Sequence, residues 1–122
     1  MVVDKPFTVT LSQARELESL AKHCGRILSV FHNRRWDSDF LTVSALINEG
    51  QLGEVCYFES HFDRFRPQVR QRWREQAGPG SGIWYDLAPH LLDQVVVLFG
   101  LPVSITVDLA QLRPGAQSTD YF

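Results

Sequence analysis

Residues 82–93 read GIWYDLAPHLLD, and they combine two acids, a histidine and two large aromatic side chains directly after the glycine-rich run GPGSG. Asp86 and His90 are four positions apart, so on a helix their side chains share one face. Apolar residues recur at helical spacing from there on, at Leu87, Leu91, Val95 and Leu98, and Gly100 ends the pattern. The stretch predicts a helix over residues 83–100 that holds a carboxylate and an imidazole together near its start.

This pair of side chains has two interpretations. The functional one makes His90 a general base whose orientation and pKa are set by Asp86. The structural one starts from Pro89, which lacks an N–H and fits best in the first turn of a helix, so that Asp86 would be the N-cap. The two are compatible, because a helix N-terminus beside a glycine loop is a common place for a site. A metal site that adds His61 or Asp63 to the pair is a further alternative, but the spacing lacks a strong ligand signature.

The residues at the start of the chain predict a strand–helix–strand unit. Val2-Val3 reads as the end of an apolar strand, and RILSVF at residues 26–31 reads as a second short strand. Between them, Thr10 and Gln13 form a capping-box pattern that should start a helix ending near Gly25. This order is typical of the last unit of a parallel α/β sheet.

The rest of the chain predicts one further helix and two longer strands. The helix should end near Asn48, with a buried stripe formed by Phe40, Val43 and Ile47. Polar and apolar residues alternate over Val55–Phe62 and Val103–Leu112, as expected for strands with one buried face. The predicted fold class is therefore α+β. The end of a β-α-β unit is followed by part of an open, mostly antiparallel sheet with helices on one face.

Composition points to an ordinary globular domain. The chain has 122 residues, of which 44% are apolar and 21% charged, with a formal net charge of −2. No apolar run is long enough for a membrane span and no signal peptide is visible, so we expect a soluble, cytoplasmic protein with no membrane partner. Cys24 and Cys56 make no CxxC motif and are expected to be reduced thiols in the core.

A group of arginines interleaves with aromatic residues over residues 64–74, at Arg64, Arg66, Arg70, Arg72 and Arg74. Such a pattern could bind phosphates, but Asp63 and Glu75 lie beside it and the overall charge is balanced. We therefore expect no nucleic-acid partner. A solvated, partly salt-bridged lobe is favoured, with contact to an anionic substrate as the alternative.

Lys5 directly follows the first predicted strand, in Asp4-Lys5-Pro6. Ligands of open α/β sheets bind at the carboxyl ends of strands, so this lysine could hold an anion or a developing oxyanion; it could equally be an ordinary surface lysine. The run GPGSG is not a dinucleotide fingerprint, because its spacing is wrong and Pro79 sits inside it.

Three features then coincide in order: Asp4-Lys5-Pro6 after a strand, HNRRWDSDF at residues 32–40, and a G-x-x-x-D-x-x-x-H-x-x-D pattern at Gly82, Asp86, His90 and Asp93. Together they resemble the Gfo/Idh/MocA family of NAD(P)-dependent oxidoreductases, the glucose–fructose oxidoreductase and inositol dehydrogenase group. The resemblance covers the whole chain. The Glu-Lys-Pro of the family appears here with Asp4 in place of its acid, and its glycine triplet appears as Gly80-Ser81-Gly82.

The resemblance implies a role for each matching residue. His90 would take the proton of the substrate hydroxyl, Asp86 would orient its ring, and Lys5 would hold the substrate oxygen. The cofactor, NAD or NADP, would lie near Lys5, Pro6, Asn33 and Arg34. The substrate, a sugar, polyol or related hydroxy compound, would be lined by Arg35, Trp84 and Tyr85. No metal is expected.

The resemblance also implies a domain boundary. Residues 1–33 would be the end of a Rossmann dinucleotide-binding domain, and 34–122 the first part of a C-terminal α+β substrate and oligomerisation domain. The glycine-loop half of the family is missing, so the chain reads as an internal fragment of a longer enzyme. We expect the fragment alone to be inactive, to bind no NAD(P), and to form a homodimer or larger homo-oligomer through its sheet. The alternative from another class is a non-catalytic oligomerisation or binding module; a metal-dependent hydrolase using Asp86, His90 and His61 ranks third.

Overall fold

The computed structural model describes residues 1–122. Its elements are β1 (Val2–Asp4), α1 (Leu11–His23), β2 (Ser29–Phe31), α2 (Ser38–Asn48) and α3 (Gly82–Phe99), with short 3₁₀ turns at Asn33–Trp36 and Trp73–Glu75. The chain is thus a small α+β structure, and the three predicted helices are confirmed with small differences at their ends.

Strands β1 and β2 form a two-stranded parallel sheet, joined through α1. Val3 is in register with Val30, so Lys5 and His32 follow the two strands at the same edge of the sheet. Helix α1 begins with the predicted capping box: the Gln13 backbone N–H donates to Thr10 Oγ1 at 3.3 Å, and the Thr10 N–H donates to Gln13 Oε1 at 3.1 Å. The predicted strand–helix–strand order is confirmed.

Helix α3 begins one turn earlier than the capping role of Asp86 requires. Its N-cap is Ser81 and its first residue is Gly82, which makes Asp86 an interior residue. The interpretation of Asp86 as N-cap is therefore wrong. Pro89 lies inside the helix, where it has no N–H to donate to the carbonyl of Tyr85, four residues earlier. The series of backbone hydrogen bonds along α3 is therefore interrupted in the turn that carries Asp86.

The first turn of α3 is held by the last residues of the chain. The Ile83 N–H donates to the Thr119 carbonyl at 2.7 Å, and the Trp84 ring packs edge-on against Phe122 with centroids 5.4 Å apart. Gly82 has φ +88°, and a Cβ there would lie 3.0 Å from the Thr119 oxygen. Only glycine fits this crossing without displacing backbone.

The predicted antiparallel sheet is not formed within this chain. Val55–Phe62 and 103–109 form no strand, and the only pairing in this part is an antiparallel bridge between Ala110 and Tyr121. This prediction was wrong as to pairing. Alternation of side chains reports which face would be buried, but a strand also needs a hydrogen-bonded neighbour, which the pattern cannot supply.

The interior is small. Seven of the 122 residues are buried, and the apolar ones are Phe40, Leu87 and Ala88. The accessible surface is 9331 Å², whereas a compact monomer of this mass exposes about 6,700 Å². Cys24 and Cys56 are free thiols, but both are exposed, so their expected place in the core was wrong. None of the helices combines the length and apolar character needed to cross a bilayer.

Candidate functional site

A partly buried ion pair joins the sheet edge to helix α3. Lys5 directly follows β1, its peptide bond to Pro6 is cis, and its side chain is 9% exposed. Its ammonium donates to the backbone carbonyl of Asp86 and lies 3.3 Å from the carboxylate Oδ1 of the same residue. Arg74 Nη1 lies 3.8 Å from that oxygen. The Asp86 carboxylate is thus held between two cations.

His90 lies one helical turn further along the same face and is 6% exposed. Its Nδ1 is buried without a hydrogen-bond partner, and the Asp86 carboxylate makes no hydrogen bond to the ring. Burial lowers the pKa of His90, and the positive charges of Lys5 and Arg34 lower it further, against the opposing charge of Asp86. At neutral pH the imidazole is therefore neutral and able to accept a proton.

The Asn33–Trp36 turn brings an arginine near His90. Arg34 donates to the Asp37 carboxylate at 2.7 Å, and its guanidinium carbon lies 5.6 Å from the centroid of the Phe62 ring. Phe62 in turn packs edge-on against the His90 ring at 6.5 Å. Arg34 Nε is buried without a partner, so it is a free donor beside the histidine, whereas Asn33 is exposed.

Arg35 is placed differently from its neighbour. It donates to both carboxylate oxygens of Asp93, at 2.7 and 2.6 Å, and this hydrogen bond raises its pKa. His32 Nδ1 lies 3.7 Å from the same carboxylate. Arg35, the predicted substrate residue, therefore directs its Nε and Nη2 donors to a carboxylate of α3. The motif pattern included Asp93, but nothing in the sequence pairs it with Arg35.

The two aromatic residues at the start of α3 face the ends of the chain. Trp84 packs on Phe122, and the Tyr85 hydroxyl lies 3.5 Å from the Val9 carbonyl oxygen. The structure thus brings together Lys5, Asp86 and His90, places Arg34 beside them, and directs Trp84 and Tyr85 to neighbouring loops.

A cavity of about 290 Å³ opens beside Asp86. Its lining includes Arg64, Arg66, Arg72, Arg74 and Arg113, together with Glu75, Asp86 and Asp120. Glu75 is buried and accepts from the Arg70 backbone N–H at 2.9 Å and from Arg72 Nε at 2.7 Å, and the first of these contacts leads in lowering its pKa. Arg113 Nε donates to Asp120 at 2.8 Å. The predicted salt-bridged lobe is thus one wall of a cavity, and Arg64 and Arg66 make no side-chain ion pair in it.

The residues of this chain do not form a metal-binding site. No group of three or more His, Cys, Asp or Glu side chains comes together in an arrangement that could hold a metal ion. His61 instead pairs with Glu59 at 2.8 Å, on the exposed surface. The site therefore consists of a lysine, a carboxylate and a neutral histidine, a combination suited to moving a proton at an oxygen atom.

Comparison with known proteins gives the class. The profile of the GFO/IDH/MocA C-terminal domain matches residues 40–122. The chain is 84% identical over 122 residues to the uncharacterized oxidoreductase YdgJ of Escherichia coli K12, covering all of this chain and 35% of that protein. The chain therefore belongs to the Gfo/Idh/MocA family.

Two further relatives extend this comparison. The scyllo-inositol 2-dehydrogenase (NADP(+)) IolW of Bacillus subtilis is 43% identical over 122 residues, which are all of this chain and 34% of that protein. The solved structure of the YPO2259 protein from Yersinia pestis is 69% identical and superimposes with a TM-score of 0.89 over 98% of this chain and 34% of its own. The chain thus spans about a third of the length of these relatives.

Proposed function

We propose that the protein is an oxidoreductase that transfers a hydride between a nicotinamide cofactor and a hydroxyl-bearing carbon of a sugar, polyol or related compound. The observation that carries the proposal is the partly buried Lys5–Asp86 pair on the same face as His90, whose pKa is lowered. The names of the relatives support the reaction class, and that of IolW supports a polyol and NADP.

The proton chemistry follows from the charges at the site. Oxidation of an alcohol requires that the hydroxyl proton leave as the hydride departs, and His90 is a neutral acceptor. Lys5 would donate to the substrate oxygen and stabilise the negative charge that builds up there. Asp86 would act by holding Lys5 and by compensating the imidazolium that forms, since it makes no hydrogen bond to the ring.

The cofactor, NAD or NADP, would supply the hydride acceptor. Its nicotinamide end would fit the residues of this chain, since Lys5 and the unpartnered Arg34 Nε are donors close enough to His90 for their charges to lower its pKa. Pro6 and Asn33 would line the same edge. In this proposal residues 1–33 are the end of a Rossmann domain and 34–122 begin the C-terminal domain. No glycine turn in the chain could bind a pyrophosphate, so these residues alone would neither bind NAD(P) nor turn over substrate.

The substrate would enter through the cavity beside Asp86. Guanidinium groups donate in a fixed fork, so Arg64 and Arg66 are suited to hydroxyl or carboxylate oxygens of a small molecule. Trp84, Tyr85 and Arg35 would shape its border rather than bind directly. A cytoplasmic homo-oligomer remains part of the proposal, supported by exposed apolar residues such as Ile105 and Val107 along the predicted strand.

The test is turnover by the protein in its full natural length. Reduction of NAD⁺ and of NADP⁺ is measured with a panel of cyclitols, hexoses and pentoses. We expect activity with at least one polyol, and a fall in kcat of ~10²–10⁴ in His90→Gln. The matched control is His23→Gln, at the exposed end of α1, which should leave kcat unchanged. Turnover of His90→Gln at the parent rate would refute the assignment of the base.

A further inference from the structure

The contact between Arg35 and Asp93 links the sheet edge to the middle of α3. Arg35 belongs to the Asn33–Trp36 turn and lies four residues after the end of β2, and Asp93 lies three residues after His90. Both nitrogen–oxygen distances, 2.7 and 2.6 Å, are those of a bidentate contact between arginine and a carboxylate. The adjoining residues add a second link, because Gln94 Nε2 donates to the Arg34 carbonyl at 3.1 Å.

These contacts attach α3 to the sheet edge on the C-terminal side of His90, and the Lys5 contact attaches it on the N-terminal side. Lys5 contacts Asp86, four residues before the histidine, and Arg35 contacts Asp93, three residues after it. Both holding residues are attached to the same two-stranded sheet, whose strands are in fixed register. Movement of α3 along or away from the sheet therefore breaks at least one of the two contacts.

The Arg35–Asp93 contact constrains the orientation of α3. The Arg35 side chain is 46% exposed, whereas Asp93 is 11% exposed. Exposed ion pairs usually add little to the free energy of folding, but a bidentate contact between arginine and a carboxylate is an exception, so this contact also contributes to stability. Its two parallel hydrogen bonds fix both the distance and the rotation of the helix.

We propose that Asp93 is a positioning residue that, through Arg35, sets the distance and orientation of His90 relative to Lys5. The inference rests on the proposed function for its kinetic consequence, since misplacement of a reacting group by about 1 Å can cost ~10²-fold in rate. Its geometric part concerns the cofactor-free protein as well.

The kinetic test compares Arg35→Gln, Asp93→Asn and the double variant in the full-length protein. We expect each single variant to lower kcat by about tenfold or more with little change in KM, and the double to be no worse than the more damaging single, since both remove one contact. Arg35→Lys keeps the positive charge but cannot make the bidentate contact, so its kcat should resemble that of Arg35→Gln. Lys22→Gln, which breaks the exposed Glu18–Lys22 pair of 2.7 Å, is the control.

The second readout is the pKa of His90 in Asp93→Asn, followed by NMR without cofactor. Burial, Lys5, Arg34 and His32 lower this pKa and Asp86 raises it. Loss of a neighbouring carboxylate would by itself lower it further, whereas a helix that moves away from Lys5 and into water raises it. We therefore expect a rise.

The outcomes separate the two claims. An unchanged or lower pKa, additive kinetic losses, full activity of Arg35→Lys, or a lower melting temperature with unaltered kcat would overturn the positioning role. If the full-length protein oxidises none of the polyols and sugars with either cofactor while the His90 pKa still rises in Asp93→Asn, the proposed function fails and the positional link stands.

Discussion

At the scale of single residues, charges of both signs lie close to a histidine whose pKa is lowered. Lys5 is nearly buried, and its ammonium is satisfied by the carbonyl and carboxylate of Asp86. A buried ammonium left without such partners would be costly, so the pair forms as a unit. The carboxylate thereby keeps a cation beside His90, and that cation is one of the groups that lower its pKa.

Removal of the Lys5 ammonium should change the pKa of His90. In Lys5→Gln we expect the pKa of His90 to rise, because a positive charge that disfavours the imidazolium is lost. Turnover of the full-length protein should fall by ~10²–10³, the usual cost of losing one donor to a developing oxyanion. NMR titration and steady-state kinetics measure the two effects. Lys22→Gln, on the exposed face of α1, should show neither.

The pH dependence follows from the direction of the same shift. A free histidine titrates near ~6.5, and the folded protein holds His90 below that value. We expect kcat/KM to remain on its plateau down to about pH 6.5 and to fall only at lower pH, with the slope of one proton. A decline that begins well above pH 7 would contradict the lowered pKa.

Stability should depend on pH in the same window. Between the folded and unfolded pKa values the unfolded chain binds more protons at His90, so the free energy of unfolding decreases as pH falls from about 6.5 through the folded pKa. The contribution is fully present above that window. Urea titrations at several pH values should show this dependence in the parent and a weaker one in His90→Gln.

At the scale of elements, local patterns predicted the helices well and the long strands poorly. Thr10 and Gln13 mark the start of α1 because a cap is a contact between residues three apart. The contacts of Val55–Phe62 depend instead on a distant strand. The site divides in the same way. Spacing placed Asp86 and His90 on one face, whereas the Lys5–Asp86 contact spans 81 positions and was indicated only by family resemblance.

The start of α3 offers a test of the crossing with the last residues of the chain. Gly82 and Gly115 both have positive φ, +88° and +78°, but only at Gly82 would a Cβ meet other atoms, 3.0 Å from the Thr119 oxygen. We expect Gly115→Ala to cost about 1–2 kcal/mol of stability from its backbone conformation alone. Gly82→Ala should cost at least about 1 kcal/mol more because of the contact. Equal losses of unfolding free energy for the two variants in urea titrations would show that the backbone at Thr119 moves aside at little cost.

At the scale of the whole molecule, the chain has far more surface than its mass calls for. Its 9331 Å² exceeds by more than a third the value of about 6,700 Å² for a compact monomer. Exposed apolar residues run along the predicted strand 103–112, among them Val103, Ile105 and Val107. Covering these residues, by further chain or by another copy, would bury apolar area and add to stability.

The small interior has a calorimetric consequence. Heat capacity rises on unfolding in proportion to the apolar area that becomes hydrated, ordinarily by about 12–15 cal/mol/K per residue. With seven buried residues, the 122-residue chain should show a smaller increment, a shallow stability curve and a broad melting transition by scanning calorimetry. If copies associate, the increment should return to the ordinary range and the midpoint should climb with protein concentration. The heat-capacity increment would thus measure how much of the apolar surface is buried by association.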